Sequence, residues 1–518
     1  MTVISSLSNT NPNLLSAGTL TSAGSVSTTD NLANAAAQPT PSAVVTLGNV
    51  SGSVQTYSAQ GTLAFAQQTI TTWKTDSKDA VSLLMAHNDQ ASSLSQRLKG
   101  LGAAVLNAFK TGSGNYSQSV TRASAAGMAL SSSNGVRADT ELRIKTASGV
   151  LVKITLASQD SGLAVDIQSD GKLSDQERTA IAGLADGFQD ALDGLAKVPP
   201  SLNLAGMAGY DNHILASVDL QTAVRQGQQQ PTSVALHLDN KIRALNVSNE
   251  QGKLQLNVNT GNSLIQGSAA QRAASINSFL QQVDAAAAGG HGDATLVSMF
   301  KDAFVQLNND TASAGTSYTQ PLNARDHAML TGLADFQASI TDTPRPVNPM
   351  RPAEVDSFNW SASQSTSIGG KTALDRTITQ TQQARLTASY HRPLTGTRLD
   401  LTSDRKSQNY YYDQIDDVAQ SKANITYQDG KLTSATLDQS ASQTTHETKF
   451  VQGKQEEDKT MPVQQSQTLN LLGLLAQNDT TSTEESAQSD AANAPNLVKA
   501  HGLILLHTSP NDLRAASH

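Results

Sequence analysis

Leu94, Leu98, Leu101, Val105 and Phe109 recur at spacings of four and three, so they share one face of a helix. Val81, Leu84 and Met85 start a similar stripe, and the polar stretch HNDQ (87–90) separates the two. The pattern predicts a helical segment over 61–125, as two helices or one with a break. From Glu141 the period changes to two. ELRIKTASGVLVKITL alternates on both sides of Gly149, which predicts a hairpin, and GLAVDIQ adds a third strand through Leu163, Val165 and Ile167. SDQERTAIAGLADGFQDALDGLAK returns to helical spacing. Its apolar stripe is Ile181, Leu184, Phe188, Leu192 and Leu195, and VPP (198–200) ends it.

Two further strands are read around the loop NEQG (249–252), joining Ala244–Ser248 to Lys253–Asn259. SAAQRAASINSFLQQVDAAAA then reads as a helix capped by Ser268 that buries Ile276, Phe279, Leu280 and Val283. TLVSMFKDAFVQL and ARDHAMLTGLADFQASI extend the helical set. TPRPVNPMRP (343–352) holds four of the 15 prolines and predicts a stiff, extended connector. Beyond it the chain is polar, Thr-rich and alternating. Asp429-Gly430 between two such runs marks a hairpin. Each run offers few large apolar side chains, which predicts a thin or one-sided sheet. LNLLGLL (469–475) is a short amphipathic segment, NDTTSTEESAQSDAANAP (478–495) an acidic tail, and LVKAHGLILLH (497–507) a last apolar run able to return to a sheet.

Together these elements predict an α+β chain. A helical N-terminal segment leads to antiparallel hairpins with packed helices, then to a β-rich antiparallel region. The divisions fall at 1–58 (disordered leader), 61–125 (helical), 126–342 (α+β), 343–353 (Pro-rich connector), 354–465 (β-rich) and 466–518 (amphipathic segment and mostly disordered tail).

Composition narrows the function classes. Only 4% of the 518 residues are aromatic and 15% charged, against about a quarter charged in ordinary domains. A net charge of −8 is mild for this length and gives no field to attract nucleic acid or anionic lipid. The absence of cysteine excludes disulfides, thiolate metal sites and cysteine nucleophiles. No apolar run reaches the roughly 18 residues of a membrane helix. Asp30 is the one charged residue before Lys74, and no basic stretch precedes an apolar core as a Sec signal requires. This charge-free, Ser/Thr/Asn-rich leader is similar to those of flagellar and type III secreted proteins. DNLANAAAQ (30–38) resembles a short motif near the start of flagellar rod and hook proteins. The expectation is either export by a Sec-independent route or a cytoplasmic location.

Two stretches carry candidate chemistry. In DIQSDGKLSDQE, Asp166, Gln168, Asp170, the Lys172 carbonyl, Ser174 and Glu177 stand where a calcium loop of the EF-hand type places its oxygens, with Gly171 at the sharp turn. The same residues also make a turn followed by a capping box, Ser174 with Glu177 three residues on. The capping box is the preferred reading and implies no cofactor; calcium is the alternative. In SQNYYYDQIDD, Tyr410, Tyr411, Tyr412 and Asp413 either form a surface for a protein partner or cap a sheet edge. The ten histidines are scattered without metal-ligand spacing, and His446 reads as solvated in a polar strand. No nucleophile elbow, phosphate loop or dinucleotide fingerprint is present.

The leader, the ELRIKTASGVLVKITL hairpin, the GKLSDQERTAIAGLADGFQDAL helix and the SQNYYYDQIDD run together resemble an uncharacterised group of proteobacterial proteins, over roughly residues 60 to 475. The resemblance implies a bacterial protein and carries over no catalytic residue. The expectation is a non-enzymatic structural or interaction protein. A cytosolic binding module with a single calcium loop is the alternative, and an enzyme without a recognisable motif comes third.

Overall fold

The computed structural model of the chain describes residues 69–516, except 76–77, 113–114, 125–136, 160, 228–229, 309–321, 373, 397 and 476–485, together with two short strands nearer the N-terminus. Those two, β1 (Gln55–Tyr57) and β2 (Leu63–Phe65), pair antiparallel within a unit of their own, Met1–Ala66. β1 lies inside the stretch expected to be a disordered leader. The rest of that leader is outside the described residues.

Gln67–His518 is the second unit. It is α+β, built on one antiparallel sheet of 16 strands. In chain order these are β3 (Thr69–Trp73), β4 (Tyr116–Ser124), β5 (Arg137–Thr146), β6 (Leu151–Gln159), β7 (Gly162–Ser169), β8 (Leu215–Arg225), β9 (Thr232–Asp239), β10 (Ile242–Ser248), β11 (Gly252–Asn259), β12 (Asp335–Asp342), β13 (Arg345–Pro346), β14 (Val355–Gly370), β15 (Arg376–Pro393), β16 (Tyr410–Gln428), β17 (Lys431–Val451) and β18 (Lys454–Asn470). From β8 to β18 spatial order follows chain order, with β13 paired to the side of β14. On the other side of β8 the order runs β5, β6, β7, β4, β3. The Pro-rich stretch lies between β12 and β14, which pair directly from Phe336↔Gln364 to Thr341↔Asn359. Strands before and after it therefore share one sheet.

Period-two alternation sets the two faces. In β11, Gly252, Leu254, Leu256 and Val258 are buried while Lys253, Gln255, Asn257 and Asn259 are exposed. Helices inserted between strands cover the apolar face: Ala80–Asn88 to Leu101–Asn107 after β3, Asp175–Gly183 and Ala185–Leu195 after β7, and Ala269–Gly290 and Ala294–Asn308 after β11. The Leu94-to-Phe109 stripe and the Ile181-to-Leu195 stripe are buried throughout. Phe279, Phe300, Phe304, Phe336 and Trp360 form one aromatic cluster beneath the last two of these helices. Phe279 stacks on Phe304 at 4.3 Å between ring centroids. In a chain with so few aromatics, this cluster anchors the middle of the sheet.

The structure departs from the pattern reading in several places. ADFQASI is strand β12, not helix, because Phe336, Ala338 and Ile340 alternate into the core. β3 and β4 flank the N-terminal helices, and β8 and β9 add to the two strands read near NEQG. Helix Ser486–Ile504 forms across the second half of the acidic tail and most of the last apolar run. Polar side chains of the sheet, among them the buried Ser421 and Gln439, hold its end. Gln382 and Ser421 donate to the Ile504 carbonyl at 2.8 and 2.9 Å, and Gln439 donates to Leu503 and Leu505 at 3.0 and 3.1 Å. These donors satisfy carbonyls that a helix terminus otherwise leaves unpaired. The apolar run thus docks on the sheet through side chains and adds no strand.

Candidate functional site

The opposite face of the sheet is open from β8 to β17, and its chemistry is set by which residues the register aligns. Asn257, Gln337, Ser363, Gln383, Gln420 and Ser440 are successive partners from β11 to β17. The next row reads Gln255, Ser339, Ser361, Arg385, Val418 and Ser442. A depression of about 740 Å³ crosses β10 to β16, lined by amide, hydroxyl and methyl side chains, with Arg385 as its one charged residue. Arg385 in turn pairs with Asp416 at 2.9 Å.

A second depression, of about 610 Å³, continues from the first, sharing Asn246 and Gln255 and reaching β6. Its far side is charged. Glu141 pairs with Arg143 and with Lys153 (2.9 Å), and the Lys153 hydrogen bond holds its carboxyl below the usual range. On the neighbouring strands His237 bridges two carboxylates, Asp219 at 2.5 Å and Asp239 at 3.3 Å. Charge thus lines the far side of the second depression, while the first is lined almost wholly by neutral groups, with charged residues such as Lys422 and Asp438 farther along β16 and β17. The lining of the first depression contains no histidine and no carboxylate. It can hydrogen-bond a ligand but offers no group placed for general acid–base work.

The tyrosine run sits at one end of β16. Tyr410 is fully buried beneath the Pro-rich stretch. Its hydroxyl donates to Glu354 (2.6 Å) and accepts from Asn348 (2.8 Å), its ring stacks on Phe450, and burial raises its pKa. Tyr412 is half-buried and bonds both backbone groups of Val355. Tyr411 is half-buried under the Arg392 guanidinium, 4.3 Å from its ring centroid. Asp413 is buried and paired with Arg392 at 2.9 Å. His391, its ring fully enclosed, lies between Asp356 (2.6 Å) and Glu354 (3.2 Å) and completes this cluster. His446, on β17, bridges Gln414 and Asp458. His237 and His391 were not singled out in the sequence, because their shortest contacts, to Asp219 and Asp356, are with residues 18 and 35 positions away in the chain.

The calcium-loop residues are distributed along β7, a turn and a helix start. Asp166 accepts from Gln168 on the exposed side of β7 (2.8 Å), and Asp170 accepts the Leu151 amide (2.8 Å). Glu177 is buried. It accepts the Ser174 amide (2.8 Å) and hydroxyl (2.9 Å) through one oxygen and the Ser148 hydroxyl (2.5 Å) through the other. Ser174 and Glu177 form a complete capping box. Among the described residues no group of three or more His, Asp or Glu side chains is arranged to hold a metal ion. No helix among them is long and apolar enough to cross a membrane. No protein-family model matches the chain, and no curated protein or solved structure is similar to it.

Proposed function

We propose that this chain is a non-enzymatic interaction protein, and that the depression crossing β10 to β16 is where it contacts a protein partner. One observation carries the reading. A sheet covered by helices on one side leaves a broad face on the other, and the depression in it is lined by amides, hydroxyls and methyls with a single charged residue, Arg385. An ordinary solvated surface is about a quarter to a third charged, whereas the centres of protein interfaces are depleted of Lys, Glu and Asp. The amide and hydroxyl rows supply paired donors and acceptors for a partner of matching polarity. The charged far side of the second depression supplies the rim that sets orientation.

The test is a photo-crosslinking amino acid placed at Gln383, in the floor of the depression, and separately at the exposed Asp284 on the helix-covered side. Expressed in the native bacterium, the Gln383 protein is expected to give a discrete adduct that Asp284 does not. The adduct should disappear when Ser361 and Ser363 are both replaced by Lys. Equal labelling at the two positions, or none at Gln383, overturns the proposal.

A further inference from the structure

A second cavity, of about 190 Å³, lies on the covered side of the sheet, between the helix Ala269–Gly290, strands β14 to β17 and the segment 508–512. Trp360 and Leu386 give it an apolar floor, Asp417 and Asp512 bring carboxylates, and Gln282 and Gln443 bring amides. The geometry points to a binding site for a small organic ammonium ion, with its charged nitrogen at Asp417 and its carbon chain along Trp360 and Leu386. This goes beyond the contact surface proposed above and uses none of its residues except the wall they share at β15 and β16.

Three observations support that chemistry. Asp417 forms no ion pair among the described residues. The cation beside it in the lining, Arg385, pairs with Asp416 instead. The Asp417 carboxylate takes only the Thr444 amide and a long contact of 3.4 Å from Gln443, and burial raises its pKa. Gln282, which is 8% exposed, lines the same cavity. Its nitrogen is committed to the Leu506 carbonyl at 2.9 Å, which leaves Oε1 without a hydrogen-bond partner among the described residues. A buried acceptor without a partner is costly, so such atoms mark places where a donor belongs. The third observation is the floor. An apolar floor beside a carboxylate suits an organic cation better than a hydrated metal ion, since the floor can take a carbon chain that a metal ion lacks. A ligand carrying an anion would meet Asp417 and Asp512 unfavourably, and a neutral alcohol would leave Asp417 uncompensated.

Calorimetric titration of the full chain at neutral pH, with n-butylammonium chloride, 1-butanol and sodium butyrate as probes, tests the assignment. Saturable binding is expected for the amine alone. Asp417→Asn should weaken it about tenfold or more through loss of the charge-assisted bond. Ala286→Met, on the partly exposed helix wall, should abolish it by filling the space. Circular dichroism melts establish that each variant is folded, and the probe comparison on the unaltered chain stands without either variant. No saturable binding of the amine, equal binding of butanol, or full binding by folded Asp417→Asn overturns the inference.

Discussion

Replacing Glu177 by Gln separates a helix cap from a cation site, because the two roles respond oppositely to pH and to calcium. The Ser148 hydrogen bond, followed by those from Ser174, holds the Glu177 carboxyl at about 2, against an ordinary value of 4.5. The whole of that difference corresponds to roughly 3 kcal/mol. Solvent screening at the turn lowers the usable part, and an N-cap bond is by itself worth about 1 kcal/mol. Glu177→Gln is therefore expected to lose ~1–2 kcal/mol at neutral pH. The sign follows from the depressed value. The stabilisation is fully present above about 4.5 and is lost as pH falls toward about 2. Urea denaturation midpoints for both proteins should differ at neutral pH and converge on acidification, and calcium should move neither. A gap that does not change with pH would refute the cap argument. So would calcium stabilising the unaltered chain but not the variant, which would restore the metal reading of Asp166 to Glu177.

Three other perturbations probe separate parts of the fold. Burial pushes the Asp342 carboxyl up to about 6, so its ionisation opposes folding as pH rises from about 4 through 6. Asp342→Asn, whose amide oxygen can still accept from the Asp293 amide, is expected to gain about 1 kcal/mol at pH 7 and nothing near pH 4 in denaturant melts. Gln439→Met removes the donor to the Leu503 and Leu505 carbonyls inside a buried contact, with an expected cost of ~1–3 kcal/mol. Hydrogen exchange should quicken at residues 500–506 before it does in β16. Gly430→Ala places a Cβ at φ 74° and 2.9 Å from a Leu374 methyl, an expected loss of about 1 kcal/mol or more read from the thermal midpoint.

The legible parts of this fold were those where one local signal sufficed. The stripe from Ile181 to Leu195 and the Ser268 cap depend on neighbours three or four residues away, and both stand as read. Asp429-Gly430 is a two-residue turn with both residues left-handed, as its dipeptide demands. ADFQASI misled because it runs on from the helical stretch ARDHA, while the decisive alternation of Phe336, Ala338 and Ile340 is only three positions long. The candidate contact face was not legible at all. Ser363, Gln383 and Gln420 are unremarkable in the chain and become a row only through the register of three strands. The hollow at Asp417 likewise joins a helix, four strands and the segment near the C-terminus.

Because each strand from β9 to β18 lies beside the one made just before it, apart from the short β13, this half of the sheet can grow by accretion. Every newly synthesised segment finds its template already folded, and turns as tight as those at Gly430 and Gly453 keep the search for it short. The growing margin is unpaired at each stage, so slowing translation inside β15 or β16 should expose a long strand edge and favour aggregation, whereas a pause after Asn470 should not.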